Sequence, residues 1–320
     1  MKKFLNNMIN EVKSSSNVVI MTHRHMDLDG FGSALGLYEV ILKYNKNVSI
    51  ITNREEMDSS ISKSVEKLDV NKYDFINEEQ LFSKINENSL ILILDVHKKE
   101  MLEVPDVVDQ NYKIIIIDHH IVGNNPIDNT VFTYIKPGTS STVEIVTQIL
   151  EEENVKIEPI VATIMLAGMY IDTNNFNLKT TKDTYLSGAF LMENGADNVM
   201  KQEIFQENRK SFIERQNLLK HSYMINDNMI ICVLDKTIYT GVDLAKISDE
   251  LLQIEEVDAS FTIGFVDENI IGISARSLGI INVEKIMNKF GGGGHKTDAA
   301  ARIETTDIKE IKNKLETILK

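Results

Sequence analysis

Cysteine is almost missing from this chain: Cys232 is the single one among 320 residues, and it lies in an apolar run. No internal disulfide can form, which excludes the disulfide-stapled folds of oxidising compartments. Long apolar runs are missing too. None approaches the ~18 residues of a membrane span, and the opening MKKFLNNMINEV lacks a signal peptide's continuous apolar core. Its Phe4, Leu5, Met8, Ile9 and Val12 fall on one helical face instead. These absences point to a cytoplasmic protein. Positive charge is also scarce, with 34 Lys and Arg against 48 Asp and Glu and a net charge of −14. Such a chain has no broad grip on a long polyphosphate backbone, which excludes long nucleic acid as a partner. A small anion, met locally by metals, arginine and backbone N–H groups, stays open. No internal repeat or low-complexity segment is present.

What is present is globular in composition, with 42% hydrophobic and 26% charged residues, and long enough for about two domains. The stretch Val18–Leu37, VVIMTHRHMDLDGFGSALGL, organises the rest. Val18–Met21 reads as a buried strand, and apolar residues return with helical spacing from Ser33 at Ala34, Leu37, Tyr38 and Ile41. His23, Asp27 and Asp29 then lie on a strand-to-helix loop, where an open α/β sheet binds ligands. A divalent cation is the simplest reason to place one imidazole and two carboxylates so close together. The competing reading is a polar loop whose acids cap the helix.

Recurrence favours the cation. Leu90–Leu94 is a second buried-strand run ending at Asp95, with His97 just beyond; Lys113–Ile117 is a third, ending at Asp118, His119 and His120. His23, His25, His97, His119 and His120 are five of the chain's seven histidines, too concentrated for ordinary turns. Val48–Ile51 supplies another strand. Ser141, Thr142, Val143 and Glu144 form an S-x-x-E capping box opening a helix through Leu150. The N–H groups of that helix start could also face an anion, which would give Ser140 and Ser141 a binding role. Val161–Ile171 reads as an apolar helix that delivers a further acid, Asp172.

Met200–His221 is charged and amphipathic without Pro or Gly, and reads as a connecting helix. Beyond it, Ile230–Leu234, Ala259–Val266 and Ile270–Ala275 read as strands, the last two forming a hairpin through Asp267, Glu268 and Asn269. Val283, Ile286, Met287 and Phe290 mark a short helix that Gly291 can end. The following Gly292, Gly293, Gly294 and His295 complete a GGGGH run. Its N–H groups can turn toward an anion, with Arg276 nearby as a phosphate partner. A flexible cap and turn is the structural alternative.

Taken in order, the H-x-x-x-D-x-D-x-x-G-S of His23–Ser33, Asp95, the DHH triplet Asp118–His120, Asp172 and the terminal GGGGH resemble the DHH phosphoesterases with a DHH-associated C-terminal domain. The DVHK at Asp95, YIKPGTSSTVEIV at Tyr134, AGMYIDTNNFNLKT at Ala167 and ISARSLGIINVEKIMNKFGGGGHKTDAA at Ile273 bring the likeness closest to the GdpP-type cyclic-di-AMP phosphodiesterases. Members of that type usually carry membrane helices, a PAS-like domain and a degenerate GGDEF domain ahead of the catalytic region. This chain holds none of them and reads as either a stand-alone form or an excised catalytic region. Met26 also stands where that group commonly has proline.

The resemblance implies an α/β fold: a mainly parallel-sheet DHH domain over 1–199, a linking helix over 200–221, and a smaller α/β substrate-binding domain over 222–320. It implies that His23, Asp27 and Asp95 hold one divalent metal and that Asp29, Asp95, His119 and Asp172 hold the other, with Asp95 bridging. Mixed imidazole and carboxylate ligation suits manganese. Asp118 would orient an imidazole, and His120 would face the phosphate or leaving oxygen. Arg276, Gly292, Gly293, Gly294 and His295 would hold the nucleotide, in a cleft between the two domains. The implied reaction opens cyclic-di-AMP to pApA. The alternative within the superfamily is a nanoRNase or pAp phosphatase acting on short linear oligonucleotides. A homodimer is the base-rate expectation.

Overall fold

The computed structural model describes residues 1–53, 57–123 and 125–320, with residues 235 and 236 described by their backbone alone. The chain divides into two units, Met1–Gln206 and Glu207–Lys320. The first unit opens with α1 (Lys2–Ser14), β1 (Val18–Met21), α2 (Leu28–Leu42), β2 (Val48–Ile51), α3 (Ser59–Lys67), β3 (Phe75–Ile76) and α4 (Glu78–Lys84). It continues with β4 (Leu90–Leu94), β5 (Lys113–Asp118), β6 (Phe132–Ile135), α5 (Thr142–Glu152), α6 (Pro159–Asp172), α7 (Lys182–Glu193) and α8 (Asn198–Phe205).

The six strands form one sheet in the order β3-β2-β1-β4-β5-β6, and every neighbouring pair is parallel. A strand inside such a sheet is covered on both faces and must be apolar throughout, as VVIM, LILIL and the IIII of Ile114–Ile117 are. Val18, Ile20, Leu92 and Ile115 pack against the apolar sides of α1, α2, α5 and α6. Val19, Met21, Ile91 and Ile116 pack on the opposite face with Leu81, Val104 and Val107. The chain runs outward from β1 to β3 and returns to β4 on the other side of β1. β1 and β4 therefore flank the switch point, where connections diverge and open a crevice at the strand carboxyl ends.

Two local features differ from the sequence reading. Helix α2 begins at Leu28 rather than Ser33, because the Asp27 carboxylate accepts the N–H groups of Asp29 and Gly30 at 2.9 and 3.0 Å. Asp27 is thus the helix cap, and Asp29 lies in the first turn rather than on a loop. The segment read as one linking helix over 200–221 is two helices. α8 stops at Phe205, and Asn208 caps a new helix by accepting the N–H of Ser211 at 2.9 Å. The division into units falls in that break, at Gln206 and Glu207.

One glycine places a site residue. A Cβ on Gly168 of α6 would lie 2.5 Å from the Leu28 carbonyl oxygen and 2.9 Å from Asp29 Cα. Only hydrogen fits where α6 meets α2. Asp172 follows one turn later on the same face, so this approach carries its carboxylate toward Asp29.

The second unit comprises α9 (Arg209–Leu218), β7 (Ser222–Met224), β8 (Met229–Ile238), α10 (Gly241–Leu251), β9 (Ala259–Asp267), β10 (Ile270–Ser277), α11 (Val283–Met287), β11 (Gly293–Gly294), β12 (Asp298–Glu304) and α12 (Ile308–Leu319). Its sheet runs β11-β12-β10-β9-β8-β7 and is mixed, with β8 and β9 parallel and the other pairs antiparallel. The expected hairpin is β9–β10.

Candidate metal centre

Each strand flanking the switch point releases its polar residues at its carboxyl end. After β1, the Nδ1 edge of His23 meets the Arg24 carbonyl at 2.8 Å, which turns Nε2 toward Asp27 at 3.7 Å and Asp95 at 3.6 Å. After β4, Asp95 takes a left-handed backbone conformation with φ of 64°. Aspartate tolerates this better than most residues, and such strain gathers at functional sites. Thr142 donates its hydroxyl to Asp95 Oδ1 at 3.0 Å. After β5, the Nδ1 edge of His119 faces the Thr139 carbonyl at 3.3 Å. Its Nε2 lies 3.2 Å from Asp172, 3.4 Å from Asp95 and 3.7 Å from Asp29.

His23, Asp27 and Asp95 thus form one group of donor atoms, and Asp29, His119 and Asp172 form another. Asp95 reaches both, because its two oxygens face His23 and His119 separately. These spacings fit metal ions. Metal–ligand bonds of about 2.1 Å give a coordination polyhedron edges of about 3.0–3.4 Å, near the observed nitrogen-to-oxygen distances and longer than most N–H···O bonds.

The electrostatics fit as well. Burial and then the neighbouring charges of Asp95 and Asp172 push Asp29 well above the usual carboxylate range. Burial likewise raises Asp172, against the opposing pull of His119. Burial alone would depress His23, but the carboxylates of Asp27 and Asp95 outweigh it and push the imidazole up to about 12. His119 is also raised, by Asp172 and Asp95 against the effect of burial. Asp95 is drawn well below its usual range, since His119 and His23 overcome its burial. Acids this crowded need cations: protons on the histidines and on Asp29 are one answer, and divalent ions are the other.

Asp118 and His120 stand beside this cluster. Asp118 is fully buried, and its Oδ1 accepts the N–H groups of His119 and His120 at 2.7 and 3.0 Å and the Nδ1 of His120 at 2.7 Å. Its Oδ2 accepts from His97 Nδ1 at 2.5 Å. The hydrogen bonds of His120 and His97 hold the Asp118 carboxyl far below its usual range despite burial. His120 also lies 3.6 Å from Asp95, and the hydrogen bond to Asp118 raises its imidazole against burial.

Ser140 and Ser141 are placed differently from the binding role expected of them. Both are fully buried. Ser141 caps α5 by accepting the Glu144 N–H at 3.1 Å, while Ser140 donates its hydroxyl to Glu144 Oε2 at 2.6 Å. Glu144 does not close the expected capping box: its carboxylate also accepts the Ser140 N–H and the Thr184 hydroxyl. The N–H groups of Thr142 and Val143, expected to face a substrate anion, donate instead to Asp29 at 2.8 and 2.7 Å. A carboxylate from α2 already occupies the anion position at this helix start.

In the second unit, Arg276 ends β10. Its Nε donates to Asp249 at 2.8 Å and its Nη1 to the Ala275 carbonyl at 3.1 Å. Arg276 pairs in register with Asp298 of β12, whose carbonyl accepts the His295 N–H at 2.6 Å, so both candidates lie at one end of the sheet. The glycine run is less open than the anion-cradle reading expects. The N–H groups of Gly291 and Gly292 donate to Asn288 and Met287, and Gly293 and Gly294 form β11 against β12. A Cβ on Gly292 would meet the Ala300 carbonyl oxygen at 2.1 Å, so the run lets one strand lie close on another. Gly291 ends the preceding helical turn with φ of 76°, as its position suggests.

Sequence reasoning did not assign Thr142 or His97. The signals were present, since Thr142 follows the serine pair and His97 lies two residues after Asp95, but both roles depend on partners distant in the chain.

Residues 17–169 match the DHH family, N-terminal domain, and residues 226–320 match the DHHA1 domain. Cyclic-di-AMP phosphodiesterase GdpP of Bacillus subtilis is 35% identical over 314 residues, covering 95% of this chain and 47% of that protein. The chain therefore spans about half the length of that relative. Bifunctional oligoribonuclease and PAP phosphatase NrnA of Mycoplasma genitalium is 25% identical, covering 95% of this chain and 93% of that one. In fold, an exopolyphosphatase-related protein from Bacteroides fragilis matches with a TM-score of 0.84 at 22% identity, over 99% of this chain and 96% of that one. The chain belongs to the DHH family, pairing a DHH domain with a DHHA1 domain.

Proposed function

We propose that this chain is a metal-dependent phosphodiesterase that hydrolyses cyclic-di-AMP to pApA. The observation that carries the reading is the double cluster in which Asp95 is shared between His23 with Asp27 and Asp29 with His119 and Asp172. Two divalent cations, manganese suiting the mixed donors, would supply Lewis acidity at the phosphoryl oxygen and a nucleophilic water near neutral pH.

The chain's own residues do the rest. The N–H groups at the start of α5 fix Asp29, and the Thr142 hydroxyl fixes one oxygen of Asp95. Asp118 holds the Nδ1 edge of His120, a partly exposed ring that we assign to face the phosphate. Water's oxygen bonds to phosphorus and the bond from phosphorus to the 3′ oxygen breaks; protonated His120 gives its Nε2 proton to that oxygen, and the proton lost by the water restores the charged imidazole. We assign nucleotide recognition to Arg276 and His295 in the second unit.

The substrate assignment is supported by the GdpP likeness. NrnA, matched over nearly its whole length, favours the second reading: a hydrolase of short linear oligonucleotides and pAp. Purified protein with manganese, offered cyclic-di-AMP, pApA and pAp at equal concentration, decides between them. Rapid conversion of the cyclic compound to pApA supports the first; sparing it while consuming pApA or pAp supports the second.

A further inference from the structure

The Asp118 carboxylate is held from two sides. His120 Nδ1 meets one oxygen at 2.7 Å, and His97 Nδ1 meets the other at 2.5 Å. With two backbone N–H groups also donating to it, this carboxylate is an acceptor only, so both facing imidazole nitrogens must carry hydrogen. Neutral His120 is then fixed as its Nδ1–H tautomer, with the lone pair on Nε2.

His97 is 3% exposed and lies two residues after Asp95 on the same loop. Its Nε2 is buried without a hydrogen-bond partner among the described residues. An apolar side chain would fill that space without burying a bare nitrogen. A histidine there is explained by the single bond made from its other edge.

We propose that His97 is a positioning residue: by pinning Asp118 from behind, it sets the tautomer and orientation of His120. The loop that carries Asp95 thereby also aligns the imidazole offered to the phosphate. This rests on the reading of His120 above, but its test does not depend on the natural substrate.

The variants are His97→Leu, which removes the donor, His97→Asn, whose amide nitrogen reproduces the Nδ1 position, and His97→Gln, whose amide reaches too far. Turnover of bis(4-nitrophenyl) phosphate and of cyclic-di-AMP is measured with manganese. The tautomer of His120 is read by nitrogen-15 NMR at pH 9 with diamagnetic magnesium. We expect His97→Leu and His97→Gln to lower kcat about 10- to 100-fold, with KM and the manganese requirement within about twofold. His97→Asn restores most of the rate. The NMR shows one His120 tautomer in the wild type and His97→Asn, and a mixture in His97→Gln.

Unchanged tautomer and rate in His97→Gln would overturn the proposal. So would a rate recovered simply by raising manganese, which would make His97 part of metal holding. Should His97→Leu fail to fold, the Asn and Gln pair still decides. A wild type that cleaves neither cyclic-di-AMP nor pApA removes the substrate assignment and leaves the NMR result standing.

Discussion

The two units bury polar groups for opposite ends. In the first, Asp29, Asp95, Asp118, His97 and His119 are each at most 4% exposed and converge at the strand carboxyl ends. In the second, Ser248, Ser260, Thr262 and Ser274 are just as buried but neutral. Ser248 donates to the Thr262 hydroxyl at 2.8 Å, and Ser260 donates to the Ser248 carbonyl at 2.7 Å, tying α10 to its sheet. Hydroxyls can satisfy one another. Crowded carboxylates cannot, and the first unit must balance them with protons on the neighbouring groups or with cations from outside.

The largest effect that tests this contrast is the removal of Asp95, the residue both donor groups share. Asp95→Ala should lower turnover at least about a thousandfold and abolish any rise in melting temperature on adding manganese. The metal-free protein should also melt lower than wild type, since His23 and His119 lose the carboxylate that pairs with them. Activity together with thermal melts, with and without manganese, reads both halves. A variant still stabilised by manganese as much as wild type would contradict the shared role.

Metal removal should separate the units thermally. A ligand at a hundred times its dissociation constant stabilises by about 2.7 kcal/mol, which for a unit this size is about 5–10 °C. We expect chelation to lower the melting temperature of the first unit by that order and leave the second unchanged. Calorimetry of the whole chain, with fluorescence or hydrogen exchange to assign the transitions, checks it.

Glycine substitutions sharpen the comparison at backbone level. Gly168→Ala should cost about 1–3 kcal/mol by overpacking. It should also weaken manganese binding, because Asp172 moves with α6. Gly292→Ala should destabilise through the 2.1 Å clash with Ala300 while leaving manganese binding intact. Equal metal affinity in both variants would break the link between the α2–α6 contact and the site.

Much of this was legible in the sequence. The runs VVIM, LILIL and IIII announce themselves because parallel strands buried on both faces admit only apolar residues, and the first polar residue after each marks the exit. The donor residues His23, Asp27, Asp29, Asp95, His119 and Asp172 are brought together as their positions suggested. What failed depended on distant partners or local caps. The break after Phe205 has no glycine or proline to mark it, only Asn208 as a cap. The helix start at α5 reads as an open anion site until Asp29, 113 residues earlier than Thr142, is seen to fill it. Four glycines in a row look like a phosphate cradle, but the backbone of β12 lies where side chains on Gly292 and Gly294 would be.

The smallest expected effect opposes the two readings of the serine pair. If Ser141 only caps α5, Ser141→Ala should cost about 1 kcal/mol. Ser140→Ala should cost a comparable amount, about 0.5–1.5 kcal/mol, by removing one donor from buried Glu144. In both variants KM should stay within about twofold of wild type, because both side chains are fully buried. Denaturant melts give the stability change, and steady-state kinetics with saturating manganese give KM. A tenfold rise in KM with unchanged stability would mean that α5 releases Asp29 on binding and turns its N–H groups to the substrate. The capped arrangement would then be the resting form of the site.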